Sequence, residues 1–376
     1  MGSRDVIIIG GGLAGLTAAI HLSGAGLRVA IIEKNTYPQH KVCGEYISNE
    51  VLPYLQWLGA DPVALQPSHI NRLLLSDQSG NTVEGALEQG GFGVSRYRLD
   101  QFLMEKALVG GAELLTDTVT NVRFEAGQFF VDTVQHGILT APFVLGAYGK
   151  RSALDQKLSR PFMAGKSAWL AVKGHYQGDF PDHLVALHNF AGGYCGVSKI
   201  ENDIINVCYL VHYDTFKRYK NIAAHQEAVL YKNIHLKTLL TRCTPLFDRP
   251  MSISQVSFAA KESVTAHMLM TGDTAGLIHP FCGNGMAMAI HSAGIAATLL
   301  LQYFDGAIAG RALLEEKYTQ AWQELFAQRM QTGRILSRVF RSSILSAGML
   351  KGLLWFPGIL PAIIKRTHGK PLNVNV

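Results

Sequence analysis

The chain has 376 residues, 48% of them hydrophobic and only 16% charged, enough for two packed domains and too apolar for a disordered segment. Its formal charge is +6, and its Lys and Arg residues are spread along the chain without a basic block or interleaved aromatic residues, which argues against nucleic acid as a partner. The excess reads as weak steering toward an anionic cofactor or membrane surface, or as a basic surface with no specific partner.

Five cysteines, at positions 43, 195, 208, 243 and 282, follow no CxxC or zinc-ligand spacing, so no metal and no disulfide framework are expected. A reducing cytoplasmic compartment is the natural expectation. The chain enters an apolar strand directly after Ser3, Arg4 and Asp5, leaving no room for a signal sequence, and no uninterrupted apolar run reaches the roughly 18 residues of a spanning helix.

Residues 6–9 form a β-branched run, the mark of a strand buried on both faces of a parallel sheet. In "VIIIGGGLAGLTAAIHL" that strand runs into Gly10, Gly12 and Gly15 at GxGxxG spacing. Gly10 permits the tight turn, Gly12 lets backbone approach a pyrophosphate, and Gly15 packs the helix on the strand. Leu13 and Ala14 lie at the helix start, which faces the phosphates. "LRVAIIEK" predicts a second strand ending at Glu33, about 20 residues on, with Lys34 beside it. An acidic side chain there accepts ribose hydroxyls and repels a 2′-phosphate, so the dinucleotide is FAD or NAD. The alternative is a glycine turn that serves the fold alone.

"INRLLLSDQSGNTVEG" reads as two strands about a turn, and "LDQFLMEKALVGG" as a helix. The alternation in "QFFVDTV" predicts an antiparallel hairpin. Residues 166–262 alternate strand patterns with one helical stretch near 221–240. "MLMTGDTAGLIHPFCGNGMAMAIHSAGIAATLL" then supplies a strand, the turn Gly272-Asp273, a glycine-rich loop and a helix. Asp273 suits the hydroxyls of a ribityl chain, while the loop from Pro280 through Gly283, Asn284, Gly285 and Met286 aims backbone N–H groups at negative charge. NAD has no ribityl chain, so the cofactor is read as FAD. "ALLEEKYTQAWQELFAQRMQTGRILSRVF" spaces apolar residues three and four apart, as an amphipathic helix does. The segment after it is apolar, broken by Lys351, Pro357 and Pro361, and ends in Lys365, Arg366 and Lys370. It is read either as an interfacial segment making peripheral membrane contact on the inner membrane face, or as a cap on the substrate cavity or on a dimer partner. The oligomeric state is not legible.

"GGGLAG", Glu33, "SRYRLDQFL" with Arg98, and "GDTAGLIHPFCGNG" together resemble, in order and spacing, the flavoprotein hydroxylases like p-hydroxybenzoate hydroxylase. "PQHKVCG", ending at Cys43-Gly44, further resembles the PxxxxC motif of the geranylgeranyl reductase branch. The resemblance implies an α/β fold. A Rossmann-like, discontinuous domain (1–70, 93–165 and 263–310) would hold non-covalent FAD. An antiparallel β-sheet substrate domain (71–92 and 166–262) would cover the flavin ring, followed by a helical C-terminal segment (311–376). It places Arg98, Cys43 and Gly44 by the FAD. Two departures stand out: Tyr148-Gly149 replaces the usual Asp-Gly pair, and "GGYCGVSK" keeps Tyr194 but not the rest of the reductases' YxWxFP.

Cys43 is the foremost catalytic candidate, as proton donor or flavin tuner, against a space-filling role. Cys282 is read as lining the site, pairing with Cys43, or anchoring flavin covalently. His279 is a candidate acid or base near neutral pH, whereas His291 is read as structural. Either Glu45 or Tyr46, directly after Cys43-Gly44, is assigned to substrate orientation, and Tyr194 to the cavity roof. The leading function is an NAD(P)H-using flavin monooxygenase that hydroxylates a hydrophobic phenolic or polyketide-like molecule. The alternatives are a reductase of carbon–carbon double bonds with Cys43 as the proton source, and a non-catalytic flavin-binding module. Halogenation is disfavoured by the lack of a GWxWxIP stretch.

Overall fold

The computed structural model describes residues 3–165, 167–219, 221–356 and 358–372. Val6–Ile9 is the strand expected, each residue at most 4% exposed, and it pairs in parallel with Val29–Glu33 on one side and Phe143–Gly146 on the other. Glu113–Thr116 and Met268–Met270 extend the sheet on either side in parallel, and Val264–Thr265 closes one edge antiparallel. Helices Leu13–Gly24 and Gly285–Phe304 pack against each other beside this sheet. Gly285–Phe304 is long and apolar enough to cross a membrane by length and composition alone, but its Met286, Ile290, Ala293, Ala297 and Leu300 are buried in the core.

The opening glycines act as backbone requirements. Gly10 sits at φ +106°, and a Cβ there would lie 2.4 Å from the Ala147 carbonyl oxygen. A Cβ on Gly15 would lie 2.0 Å from the Gly10 carbonyl oxygen, so only glycine lets the first helix turn back onto the strand.

A second, nine-stranded sheet stands over the first. Trp169–Gln177, Ile205–His212, Gly193–Lys199 and His183–Phe190 form its antiparallel heart. His183–Phe190 then pairs in parallel with Ser68–Ser76, which makes a hairpin with Thr82–Gly93. Tyr46–Ser48 adds the edge. The expected boundaries at 70 and 71 therefore fall inside a strand, and Tyr46–Ser48 already belongs to the upper sheet although residues 1–70 were assigned to the nucleotide domain. Short strands at domain crossings carry no composition change that would betray them. The "QFFVDTV" hairpin is the middle of a separate three-stranded sheet, Val119–Glu125, Gln128–Thr133 and Ile138–Ala141. The helical stretch near 221–240 is two helices, Ile222–Ala228 and Ile234–Arg242, each capped by an asparagine side chain.

Three C-terminal helices follow: Arg311–Arg341, Ser343–Trp355 and Ile359–Thr367. They are pinned to the body at Glu50, which is fully buried. Its carboxylate accepts from the Arg329 guanidinium at 2.9 Å and from the Gly369 N–H, and its carbonyl oxygen accepts from the Leu372 N–H at 2.7 Å. The Asn284 amide donates to the Thr367 carbonyl oxygen at 2.7 Å, tying the glycine-rich loop to the same segment.

The overlap at position 15 sets an expected outcome. Gly15→Ala forces helix and strand apart at a cost of about 1–3 kcal/mol, and its unfolding midpoint in a thermal melt falls by several degrees whether or not cofactor is bound.

Candidate active site

Where the two sheets meet, one cavity of about 300 Å³ joins most of the residues the motifs single out. Its lower wall is residues 12–14, Gly272-Asp273 and the loop 280–286. Two helix N-termini converge there: Leu13–Gly24 starts after Gly12 and Gly285–Phe304 after Asn284, and neither has a side chain capping its free N–H groups. Uncapped helix starts leave backbone donors and a partial positive charge for an anionic ligand. A Cβ on Gly12 would touch only the Arg96 guanidinium, at 3.7 Å, so this glycine keeps room for a ligand. A dinucleotide with a pyrophosphate and a ribityl chain fits these donors and Asp273.

The cation at this wall is Arg96, not Arg98. Both lie at the start of Arg96–Val109, but on a helix only residues three or four apart share a face. Arg96 therefore points into the cavity and grips Asp100 through two bonds of 2.6 and 2.7 Å, and Lys41 adds a third at 2.8 Å. The Arg98 guanidinium reaches only the Leu65 carbonyl oxygen at 3.4 Å, outside the cavity, and its assignment to the cofactor is corrected. Burial opposes the Arg96 charge, but Asp100 outweighs it and holds the guanidinium above its ordinary value. Lys150 supplies the second cation. Its backbone oxygen and that of Asp273 both accept from Lys261, whose ammonium burial lowers to about 8. Burial raises the Asp273 carboxyl, against the pull of Lys150 and Lys261.

Gly10 and Gly15 shape the turn without lining the cavity, and Lys34 is exposed. Glu33 is buried outside the cavity, with one oxygen on the Gly11 N–H at 2.8 Å and the other on Asn35. Tyr148, standing where an aspartate was expected, donates to Asp155 at 3.3 Å, and the Gly149 N–H meets the Thr274 hydroxyl at 2.8 Å. The substituted pair thus braces the Asp273 turn.

Above the lower wall, Cys43 and Gly44 line the cavity on a loop held at both ends. The Asn206 amide donates to the carbonyl oxygens of Cys43 (3.3 Å) and Gly44 (2.8 Å), and the Lys173 ammonium to that of Lys41 at 3.1 Å. The Cys43 thiol is half-buried and 3.5 Å from the Met286 sulfur. Glu45 was expected to orient substrate. Instead it is fully buried at φ +54°, with its carboxylate on Lys173, on His175 at 2.8 Å and on the Arg96 N–H at 2.8 Å. Burial pushes its pKa up, but His175 and Lys173 together hold it below the usual carboxylate range. Glu45 lines the cavity, but its oxygens are committed to these three partners, which makes it a joint between the domains.

The upper wall is aliphatic: Leu73, Leu75, Leu87, Val185, Leu187 and Leu210 face in from the nine-stranded sheet. Tyr194 joins them as expected, its hydroxyl pushed well above its ordinary value by burial and so kept protonated. His279 does not line the cavity. It packs on Phe258, Tyr194 and Trp169 with ring centroids 4.7–5.9 Å apart, and burial lowers its pKa to about 3. An imidazole that stays neutral throughout the physiological range is a spacer, so its acid–base assignment is corrected. His291, lowered by burial to about 4, packs edge-on against Phe326 and is structural as read. Cys282 lines the cavity, but burial raises its thiol to about 12, which works against thiolate chemistry, and all five cysteines are free.

Sequence reasoning missed Arg96, Lys150, Lys173, His175 and Asn206. The four-residue spacing of Arg96 and Asp100 was a readable signal; the other partners meet only in three dimensions. It also left open that Leu336, Leu360, Ile363 and Thr367 close the cavity from the C-terminal helices.

Two outcomes follow. Gly12→Ala leaves the melting curve of the cofactor-free protein unchanged, because its methyl has room, yet lowers FAD occupancy of the purified protein severalfold. Glu45→Gln removes one partner of a buried ion pair, costing about 3–5 kcal/mol. Since the folded-state carboxyl is held below its ordinary value, its contribution is full above about pH 4.3 and is lost as pH falls further. A denaturant titration against pH shows the parent losing stability in that acid range and the variant losing less.

Comparison with known proteins finds that the FAD binding domain family matches residues 3–332. A tryptophan 2-halogenase of Chondromyces crocatus is 21% identical over 357 residues, 86% of this chain and 66% of that protein. The ubiquinone hydroxylase UbiM of Neisseria meningitidis is 23% identical over 397 residues, 97% of this chain and 84% of that protein. Among solved structures, the flavin-dependent brominase Bmp2 superposes with a TM-score of 0.77 at 18% identity, covering 99% of this chain and 95% of that one. A geranylgeranyl bacteriochlorophyll reductase-like protein of Thermoplasma acidophilum superposes at 0.75 and 20% identity, covering 97% and 96%.

Proposed function

This chain belongs to the FAD binding domain family of p-hydroxybenzoate hydroxylase-like flavoproteins and is an FAD-dependent oxidoreductase, and from that premise we propose that it hydroxylates a lipophilic phenolic molecule at the expense of NAD(P)H. The observation that carries this reading is a single cavity with the cofactor cradle on one wall and leucine and valine side chains on the other.

When bound, FAD supplies the two-electron chemistry. The protein supplies placement and environment. The two helix starts, Arg96 and Lys150 hold the anionic parts of the cofactor, and Asp273 takes ribityl hydroxyls. The aliphatic wall and the C-terminal helices would exclude water from the chamber where the flavin ring would lie. Tyr194 offers a hydroxyl that stays a hydrogen-bond donor. Overall, one dioxygen, one NAD(P)H and one proton place one oxygen atom on the ring and release the other as water.

Proton supply favours this chemistry. Double-bond reduction needs an acid beside the substrate, yet Glu45 is locked in ion pairs and the Cys208 and Cys282 thiols are raised to about 12 by burial. Oxygen insertion into an electron-rich ring asks mainly for a dry, shaped chamber. One observation supports a second reading: Cys43 lines the same cavity and is only half-buried, the position a proton donor would take in a reductase. Halogenation has less support. The GWxWxIP stretch is absent, and among the described residues the one lysine lining the cavity is Lys150, on the cofactor wall.

The test is product mass under isotopically labelled dioxygen, with NAD(P)H and a panel of alkyl phenols. Hydroxylation adds one labelled oxygen atom per NAD(P)H consumed, and Cys43→Ser retains most of the rate. A product heavier by two hydrogens, formed anaerobically and lost in Cys43→Ser, establishes the reductase instead.

A further inference from the structure

We infer that the last two described helices, Ser343–Trp355 and Ile359–Thr367, form a docking surface for an anionic phospholipid bilayer. This goes beyond the redox reading and does not depend on which reaction the flavin performs.

The first observation concerns charge by position. Residues 1–324 carry 26 Lys and Arg against 28 Asp and Glu, whereas residues 325–376 carry eight against none. The whole positive excess of the chain therefore lies in its C-terminal 52 residues, because acidic residues stop at Glu324 while Lys and Arg continue. Arg329 is the one cation of this group engaged with Glu50; Lys351, Lys365, Arg366 and Lys370 are exposed.

The second observation is a set of exposed apolar side chains on the same helices. Ile344 is 82% exposed, Trp355 81%, Phe356 61%, Leu345 55% and Ile359 44%. Trp355 and Phe356 stand at the turn between the helices, where an amphipathic indole suits the headgroup level of a membrane. Large apolar side chains exposed beside cations are the composition of an interfacial segment.

The third observation is that the inner side of the last helix faces the active cavity. Leu360, beside the exposed Ile359, is 3% exposed and lines the cavity with Ile363 and Ile364. One short helix thus separates the proposed bilayer surface from the chamber. A second copy of the chain is the weaker occupant, because a symmetric interface sets this acid-free, cationic surface against its own charge. Anionic headgroups complement it, each cation near the surface adding to the attraction.

The test uses the full-length, FAD-loaded protein in flotation assays with phosphatidylcholine vesicles and with mixed phosphatidylcholine and phosphatidylglycerol vesicles. The expected result is binding to the mixed vesicles that weakens with salt. Binding should fall roughly tenfold or more in Lys365→Glu/Arg366→Glu, and by a similar factor in Trp355→Ser/Phe356→Ser. Both variants keep parental FAD content and parental turnover of a water-soluble phenol, so a failure of docking is distinguishable from a failure of the redox assignment. The inference is overturned if the parent stays with the unbound fraction in both mixtures, or if neither variant loses binding. It is also overturned if gel filtration shows a dimer that Trp355→Ser/Phe356→Ser dissociates while the parent ignores vesicles.

Discussion

The buried carboxylate of Glu45 is the joint on which the site depends. It ends the Cys43 loop in a left-handed conformation and reaches Lys173 and His175 on the upper sheet and the Arg96 N–H at the helix below. A lone carboxylate in that position would be strongly disfavoured, so the three partners must arrive together for the domains to close. Their arrival fixes three other things. The Cys43 loop is held at the cavity wall, Arg96 is turned toward the cofactor cradle, and the strand Trp169–Gln177 is set in register above it. Cofactor wall and substrate wall are aligned by one side chain at the cavity edge.

The parts of this arrangement that were legible in the sequence are those governed by local backbone rules. GxGxxG, a β-branched strand before it and an acidic residue after the next strand are tied to one turn and one helix, and the turn has the steric limits expected at Gly10 and Gly15. The glycine-rich loop at 280–286 was legible for the same reason. The misreadings share a cause of the opposite kind. Whether Arg96 or Arg98 faces the cavity is a matter of helix phase; whether His279 can take a proton depends on how many rings surround it. Glu45 reads as a polar neighbour of Cys43 until Lys173, about 130 residues away, is seen against it.

The C-terminal helices show how composition misleads when taken over a whole chain. A net charge of +6 averages a slightly acidic body with a strongly cationic tail. The same tail supplies part of the cavity roof through Leu360, Ile363 and Thr367. Its two faces obey different solvents: the inner one is held by aliphatic packing, the outer one leaves tryptophan and phenylalanine in water. The cap and the interfacial segment, posed as alternatives from the sequence, are two sides of the same C-terminal helices, the inner side seen in the structure and the outer side inferred.

The pin at Glu50 joins parts of the chain that lie more than 300 residues apart in sequence. The cofactor cradle draws on residues 12–14, 96, 150 and 273–286, and the roof is fastened only when Gly369 and Leu372 reach a carboxylate and a carbonyl at position 50. The cradle residues all precede position 287, whereas the contacts that fasten the roof come from positions 369 and 372. A single backbone cut between them therefore leaves a cradle whose roof is no longer fastened.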